Sequence, residues 1–126
     1  MRKLAIRSTF TLAAVAVTAL ALVQFASART EPQAHASATT IHVSGKEYSF
    51  KLSKKSIARP GKVKFAFRNA GRMLHDFEIN GKKTPLTKPH KTAKLAVRFT
   101  KKGKYRYLCT VPGHAALGMK GVFTVR

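Results

Sequence analysis

Residues 105–126 read YRYLCTVPGHAALGMKGVFTVR. Tyr105 to Cys109 has the composition of a β-strand, and Val122 to Val125 has that of a second. Between them Pro112-Gly113 forces one turn and Gly118 permits another, and Met119 begins the last strand. The chain therefore leaves a sheet at a Cys, loops, and re-enters the sheet at a Met within ten residues.

The same strand-turn-strand grammar runs upstream. Ile41 and Val43 alternate with polar neighbours, as do Tyr48, Phe50 and Leu52. After Arg59-Pro60-Gly61, Val63, Phe65 and Phe67 alternate with Lys62, Lys64, Ala66 and Arg68. Asn69-Ala70-Gly71 and Asn80-Gly81 are turns around the Phe77 and Ile79 run, and Leu95, Val97 and Phe99 alternate with Lys94, Ala96, Arg98 and Thr100. Period-two alternation over short runs separated by turn residues predicts an antiparallel all-β fold of about seven to eight strands, with two sheets packed as a sandwich. The alternating Phe residues are core, and they offer no stacking platform for nucleic acid because they lie on the apolar side of each run.

The N-terminus is a different object. Met1 to Thr9 carries Arg2, Lys3 and Arg7 without an acid, Phe10 to Val23 is apolar apart from two Thr, and Ala26-Ser27-Ala28 supplies small residues at the cleavage positions. Residues 1–28 read as a secretory signal peptide, with retention as a membrane anchor the alternative. Residues 29–39 read as a linker or flexible tail, and residues 40–126 as one domain. Export places the domain outside the inner membrane, in the periplasm or another extracytoplasmic compartment.

The chain holds 126 residues, 25 Lys plus Arg, four acids, one Cys and no Trp, for a net charge of +21. One Cys excludes a disulfide-stapled mini-protein. A hydrophobic content of 44% excludes a disordered basic tail. Without residues 1–28 the charge is +18, spread over strands and turns rather than gathered in one motif. It reads as a solvated basic surface that favours acidic redox proteins, an anionic membrane or a cell-wall polyanion, and gives no sign of specific nucleic-acid recognition.

Cys109, His114 and Met119 carry the chemistry. Taken singly, a strand Cys and a Met are ordinary core fillers. Taken together around a Pro-Gly turn, a thiolate, an imidazole and a thioether aimed at one point suit copper in both oxidation states. The further donor needed is a second imidazole, and His75, at the head of His75-Asp76-Phe77-Glu78-Ile79, is the candidate. His35, His42 and His90 read as surface or linker residues, and Met73 as a loop or rim residue.

Tyr107-x-Cys109-x-x-Pro112-Gly113-His114, Met119-x-Gly121 and the upstream His75-Asp76-Phe77 resemble the cupredoxins, the small blue copper proteins, over about Thr40 to Arg126. The Cys–His–Met spacing is similar to that of rusticyanins and auracyanins. The resemblance implies a Greek-key β-sandwich with one copper ion held by His75, Cys109 and His114, and Met119 as a long axial ligand. It implies a one-electron carrier, not an enzyme, a monomer whose His114 edge meets redox partners at the surface. Where azurins and plastocyanins usually carry Asn, this chain has Asp76, and the resemblance implies a hydrogen bond from that position to Thr110 beside the Cys. The alternative function is copper binding or delivery in the envelope with the same ligands. A multicopper enzyme lacks support, since no second such half is present, and a binuclear centre needs a second Cys.

Overall fold

A computed structural model describes residues 37–126. The expected signal peptide (residues 1–28), the expected tail up to residue 36 and His35 lie outside the described residues. The described chain forms nine strands and no helix. They are β1 (Thr39–Lys46), β2 (Ser49–Leu52), β3 (Ser56–Ile57), β4 (Gly61–Asn69), β5 (Glu78–Ile79), β6 (Lys82–Lys83), β7 (Thr92–Phe99), β8 (Gly103–Leu108) and β9 (Lys120–Val125). They make two sheets, β2-β1-β4-β7 and β3-β9-β8-β5-β6.

The pairing is mixed rather than wholly antiparallel: β1 runs parallel to β4, and β3 runs parallel to β9. The alternation of apolar and polar residues is the same whichever way a neighbour runs, so direction is set by the connection. β2 turns back along β1, β3 crosses to the second sheet, and β4 returns on the other side of β1. The short pairs β3 and β6 exist only through their neighbours, since two residues carry no pattern of their own.

The inner faces meet in a core of Ile41, Val43, Val63, Val97 and a group of aromatic rings. Phe65, Phe67, Phe77, Phe99 and Phe123 are at most 1% exposed. Phe65 meets Phe123 edge-to-face at 5.7 Å, and Phe50 meets Phe77 in the same way at 5.4 Å, arrangements that let ring edges face ring π-clouds. Tyr107 lies across Gly121 on the neighbouring strand, where any Cβ would collide with the phenol ring. Asn80 and Gly81 take φ of 51° and 69°, the two positive values a tight hairpin between β5 and β6 requires. Phe77 joins core to site, being two residues from His75.

Phe65→Ala removes a fully buried ring from both sheets' contact and is expected to cost about 3–5 kcal/mol by urea unfolding. Lys64→Ala, on the exposed side of the same strand, should stay within about 0.5 kcal/mol of the parent.

Candidate metal centre

The sheet β3-β9-β8-β5-β6 builds most of the centre. Leu108 pairs with Lys120, and the ladder continues one step further, with the Cys109 amide donating to the Met119 carbonyl at 3.0 Å. The loop between them winds through short turns. The His114 amide donates to Val111 (3.1 Å), Leu117 to Gly113 (3.0 Å) and Met119 to His114 (3.0 Å). Gly113 and Gly118 supply the reversals with φ of 83° and 111°, a region costly to residues with a Cβ. His75 arrives from the connection after β4, fastened to Thr87 by a two-way backbone bridge.

These elements bring three donors together. The Nδ1 atoms of His75 and His114 lie 3.1 Å apart, and the Cys109 Sγ lies 3.9 and 3.6 Å from them. All three residues are buried, at 0%, 3% and 1% exposure. Met119 is fully buried and bound through its backbone to both Cys109 and His114. His42 and His90 are exposed and take no part in this cluster. Met73 is 44% exposed.

Burial pushes the Cys109 thiol up from its ordinary value. Burial, and then the neighbouring His75, push the His114 imidazole down. His114 therefore offers a free lone pair at neutral pH, and the thiol must release its proton to become a metal ligand. Two imidazole nitrogens, a soft sulfur and a thioether residue fit copper, which accepts such donors in both its oxidation states.

Asp76 and Thr110 meet beside Cys109. The Thr110 amide donates to Asp76 Oδ1 at 2.6 Å, and the Thr110 hydroxyl donates to Oδ2. Lys83 Nζ donates to the same hydroxyl at 3.3 Å and stands 4.0 Å from Oδ2.

Two residues of the site carried no local sequence signal. Glu47, in the turn between β1 and β2, accepts the amides of Arg72 (2.6 Å) and Met73 (2.7 Å), and its Oε1 lies 3.3 Å from His75 Nε2. An ionised carboxylate only accepts, so it places the ring proton on Nε2 and leaves Nδ1 free for a metal. Gly71 makes room for it, since a Cβ there would stand 2.5 Å from Oε1. Asn69, buried at the end of β4, donates to the carbonyls of Met73 and Thr87 at 2.7 Å and accepts the Gly71 amide at 2.9 Å. It thus holds the approach to His75 from both sides. The expectation of an exposed His114 edge meets a tighter arrangement, in which the Tyr48 ring packs edge-on at 5.1 Å and His114 stays 3% exposed.

The chain belongs to the family of cupredoxin-like domains, whose model matches residues 13–125. Among solved structures it is similar to the dithionite-reduced auracyanin of the photosynthetic bacterium Roseiflexus castenholzii. The TM-score there is 0.62 at 22% identity, covering 71% of this chain and 98% of that one. Auracyanin A of Chloroflexus aurantiacus, a blue copper protein, gives 0.59 at 22% identity over 71% and 99%. The copper-containing nitrite reductase of Thermus scotoductus gives 0.58 at 12% identity over 70% of this chain but 31% of its own. No curated protein sequence matches. The cofactor that fits the centre is a single copper ion.

Hydrogen bonds from the backbone amides of Glu47 itself, Met73 and Arg72 and from His75 hold the Glu47 carboxyl at about 2, well below its usual 4.5. A depressed folded value stabilises the fold above the unfolded value, and that stability is lost as pH falls from about 4.5 toward 2. Glu47→Ala is therefore expected to be less stable than the parent at neutral pH and less sensitive to acid across that interval. Urea midpoints measured through the interval check this; parallel profiles for the two proteins would refute it.

Proposed function

We propose that this chain is an exported one-electron carrier of the blue copper type, in which His75, Cys109, His114 and Met119 would hold the copper. The observation that carries the reading is the buried convergence of two Nδ1 atoms and one Sγ within 4.8 Å. Bound copper supplies a one-electron couple between its cuprous and cupric forms. The chain's own residues keep the donors in place in either form. The Cys109–Met119 ladder step and the Met119–His114 turn set the loop, Glu47 and Asn69 set His75, and Asp76 braces Thr110 next to the sulfur.

Burial of all four donor residues leaves a substrate no approach, which favours a carrier over an enzyme. Leu74, Leu86 and Leu117 are 45%, 57% and 62% exposed, and Leu74 and Leu86 share a depression of about 360 Å³ with Thr110, Val111 and Pro112. Such an apolar rim on a strongly basic molecule suits brief, steered encounters with acidic redox partners. Export rests on the pattern of residues 1–28.

Titration of the protein with cupric ion is expected to give an intense blue band and narrow copper hyperfine splitting at one copper per chain, both lost in Cys109→Ala. Fast electron exchange with an acidic redox protein, slowing as salt rises, then distinguishes carriage from storage. Absence of the blue band from the parent protein would refute the reading.

Asp76→Asn removes a formal negative charge from the neighbourhood of Thr110 and Cys109. It is expected to raise the reduction potential in an equilibrium redox titration. An unchanged potential across neutral pH would show that the Asp76 charge does not reach the couple.

A further inference from the structure

The register of β4 with β7 gathers cations that look scattered along the chain. Their outward pairs are Lys62 with Arg98, Lys64 with Ala96, Ala66 with Lys94, and Arg68 with Thr92. The residues between them on β4, Val63, Phe65, Phe67 and Asn69, are buried, so the outward assignment is fixed. Every level of this ladder holds a cation, and each level but the first pairs it with a small residue. The cations alternate between the strands where the ladder passes from Lys64 to Lys94 to Arg68. A level repeats about every 6.7 Å along a strand, so the four span about 20 Å.

No acid stands among these eight positions. The three acids of the described residues are engaged elsewhere: Glu47 on backbone amides and His75, Asp76 on Thr110, and Glu78 opposite Lys83 in the other sheet. Between Lys64 and Lys94 the small side chains leave a depression of about 500 Å³ walled by Lys64, Ala66, Lys94, Leu95 and Ala96 with Thr40 of β1, and the buried Phe65 lies at its floor. Lysines on an edge strand often deter unwanted strand pairing. That reason covers β7, an edge, but not β4, which lies inside the sheet and carries three of the five cations.

We propose that the outer face of β4 and β7 is a binding surface for an extended, base-free phosphodiester polymer, lying along the strands with successive anionic groups against successive cation levels. The row is one strand pair wide, which fits a chain better than a planar headgroup surface. None of the eight outward residues is apolar beyond Ala, so nothing on the ladder inserts into a bilayer. None is aromatic either, so the ladder offers bases nothing to stack on. The surface is separate from the four residues of the metal centre and needs no metal to act.

The test uses the full-length protein and a labelled poly(glycerol phosphate) chain. One variant replaces Lys62, Lys64, Arg68, Lys94 and Arg98 by Thr, a residue at home on exposed strands. A control replaces Lys54, Lys55, Lys88, Lys101 and Lys102, all exposed and outside the strands, and so loses the same charge without touching a ladder. The ladder variant is expected to bind about fiftyfold more weakly, the loss that five exposed ion pairs of ordinary strength give. Its dependence of log affinity on log salt should fall by about 3 in slope. The control should lose about threefold or less.

Equal losses in the two variants would overturn the proposal, reducing the effect to net charge. So would preference for anionic phosphatidylglycerol vesicles or for single-stranded DNA over the base-free polymer, or no binding by the parent. If the fivefold variant does not fold, Lys64→Thr with Lys94→Thr removes the two central levels and is read against Lys54→Thr with Lys101→Thr in the same way.

Discussion

The hydrogen bond from the Cys109 amide to the Met119 carbonyl is the constraint on which the centre depends. It is the last rung of the β8–β9 ladder, so the register of an entire sheet decides where the loop begins and ends. Slipping that register by one residue would turn both side chains to the opposite face. With both ends held, the nine residues between can close only through tight turns, and Gly113 and Gly118 supply the backbone angles. The Met119 amide then returns to the His114 carbonyl, and the imidazole is set against the sulfur with little freedom left. A loop anchored in this way loses little conformational entropy when a metal binds, because folding has already lost it.

The second half of the centre comes from far away in the chain and is held differently. His75 lies in no long strand; it is fixed by a backbone bridge to Thr87, by Asn69 on the segments either side, and by Glu47 at its outer nitrogen. Phe77 drives the chain into the core two residues later. Buried polar groups in this region are paired, and no buried side-chain N or O among the described residues is without a partner. Polar groups left unpaired at such depth would cost more than their hydrogen bonds contribute, so loss of one member loosens the others.

What could be read from the sequence follows from distance along the chain. Cys109, His114 and Met119 sit in one loop with a Pro-Gly turn between them, so their spacing carries their meeting. Phe65, Phe67, Val97 and Phe99 declare their face by alternation. The pairing of Asp76 with Thr110 came from a resemblance and is met in the structure as a hydrogen bond. Glu47 was not legible: it lies 28 residues from the ring it touches, in a turn whose composition says only turn. Asn69 reads as a turn residue, and its side chain's use as a brace appears only once Met73 and Thr87 are placed around it. The direction of β4 beside β1 was hidden because alternation carries no sign of direction.

Charge follows the same logic. Along the chain the lysines and arginines look evenly scattered, since β4 and β7 are separated by more than twenty residues. Antiparallel register with matched parity puts Lys94 beside Ala66 and Ala96 beside Lys64, so gaps in one strand are filled from the other. Fewer cations on one strand alone would leave a broken row. Such a row also repels itself, and adjacent Lys62 and Arg98 at one level bring no hydrogen bond in return. The fold tolerates this because those side chains reach into water, where the repulsion of exposed charges is weak and screened over about 10 Å. The acids are used where a negative group has donors to meet: part-exposed Glu47 at the amides of Arg72 and Met73, buried Asp76 at the amide and hydroxyl of Thr110. Most of the cations face water, and only Lys83, half exposed, reaches the hydrogen bonds of the metal centre, donating to the Thr110 hydroxyl beside Asp76.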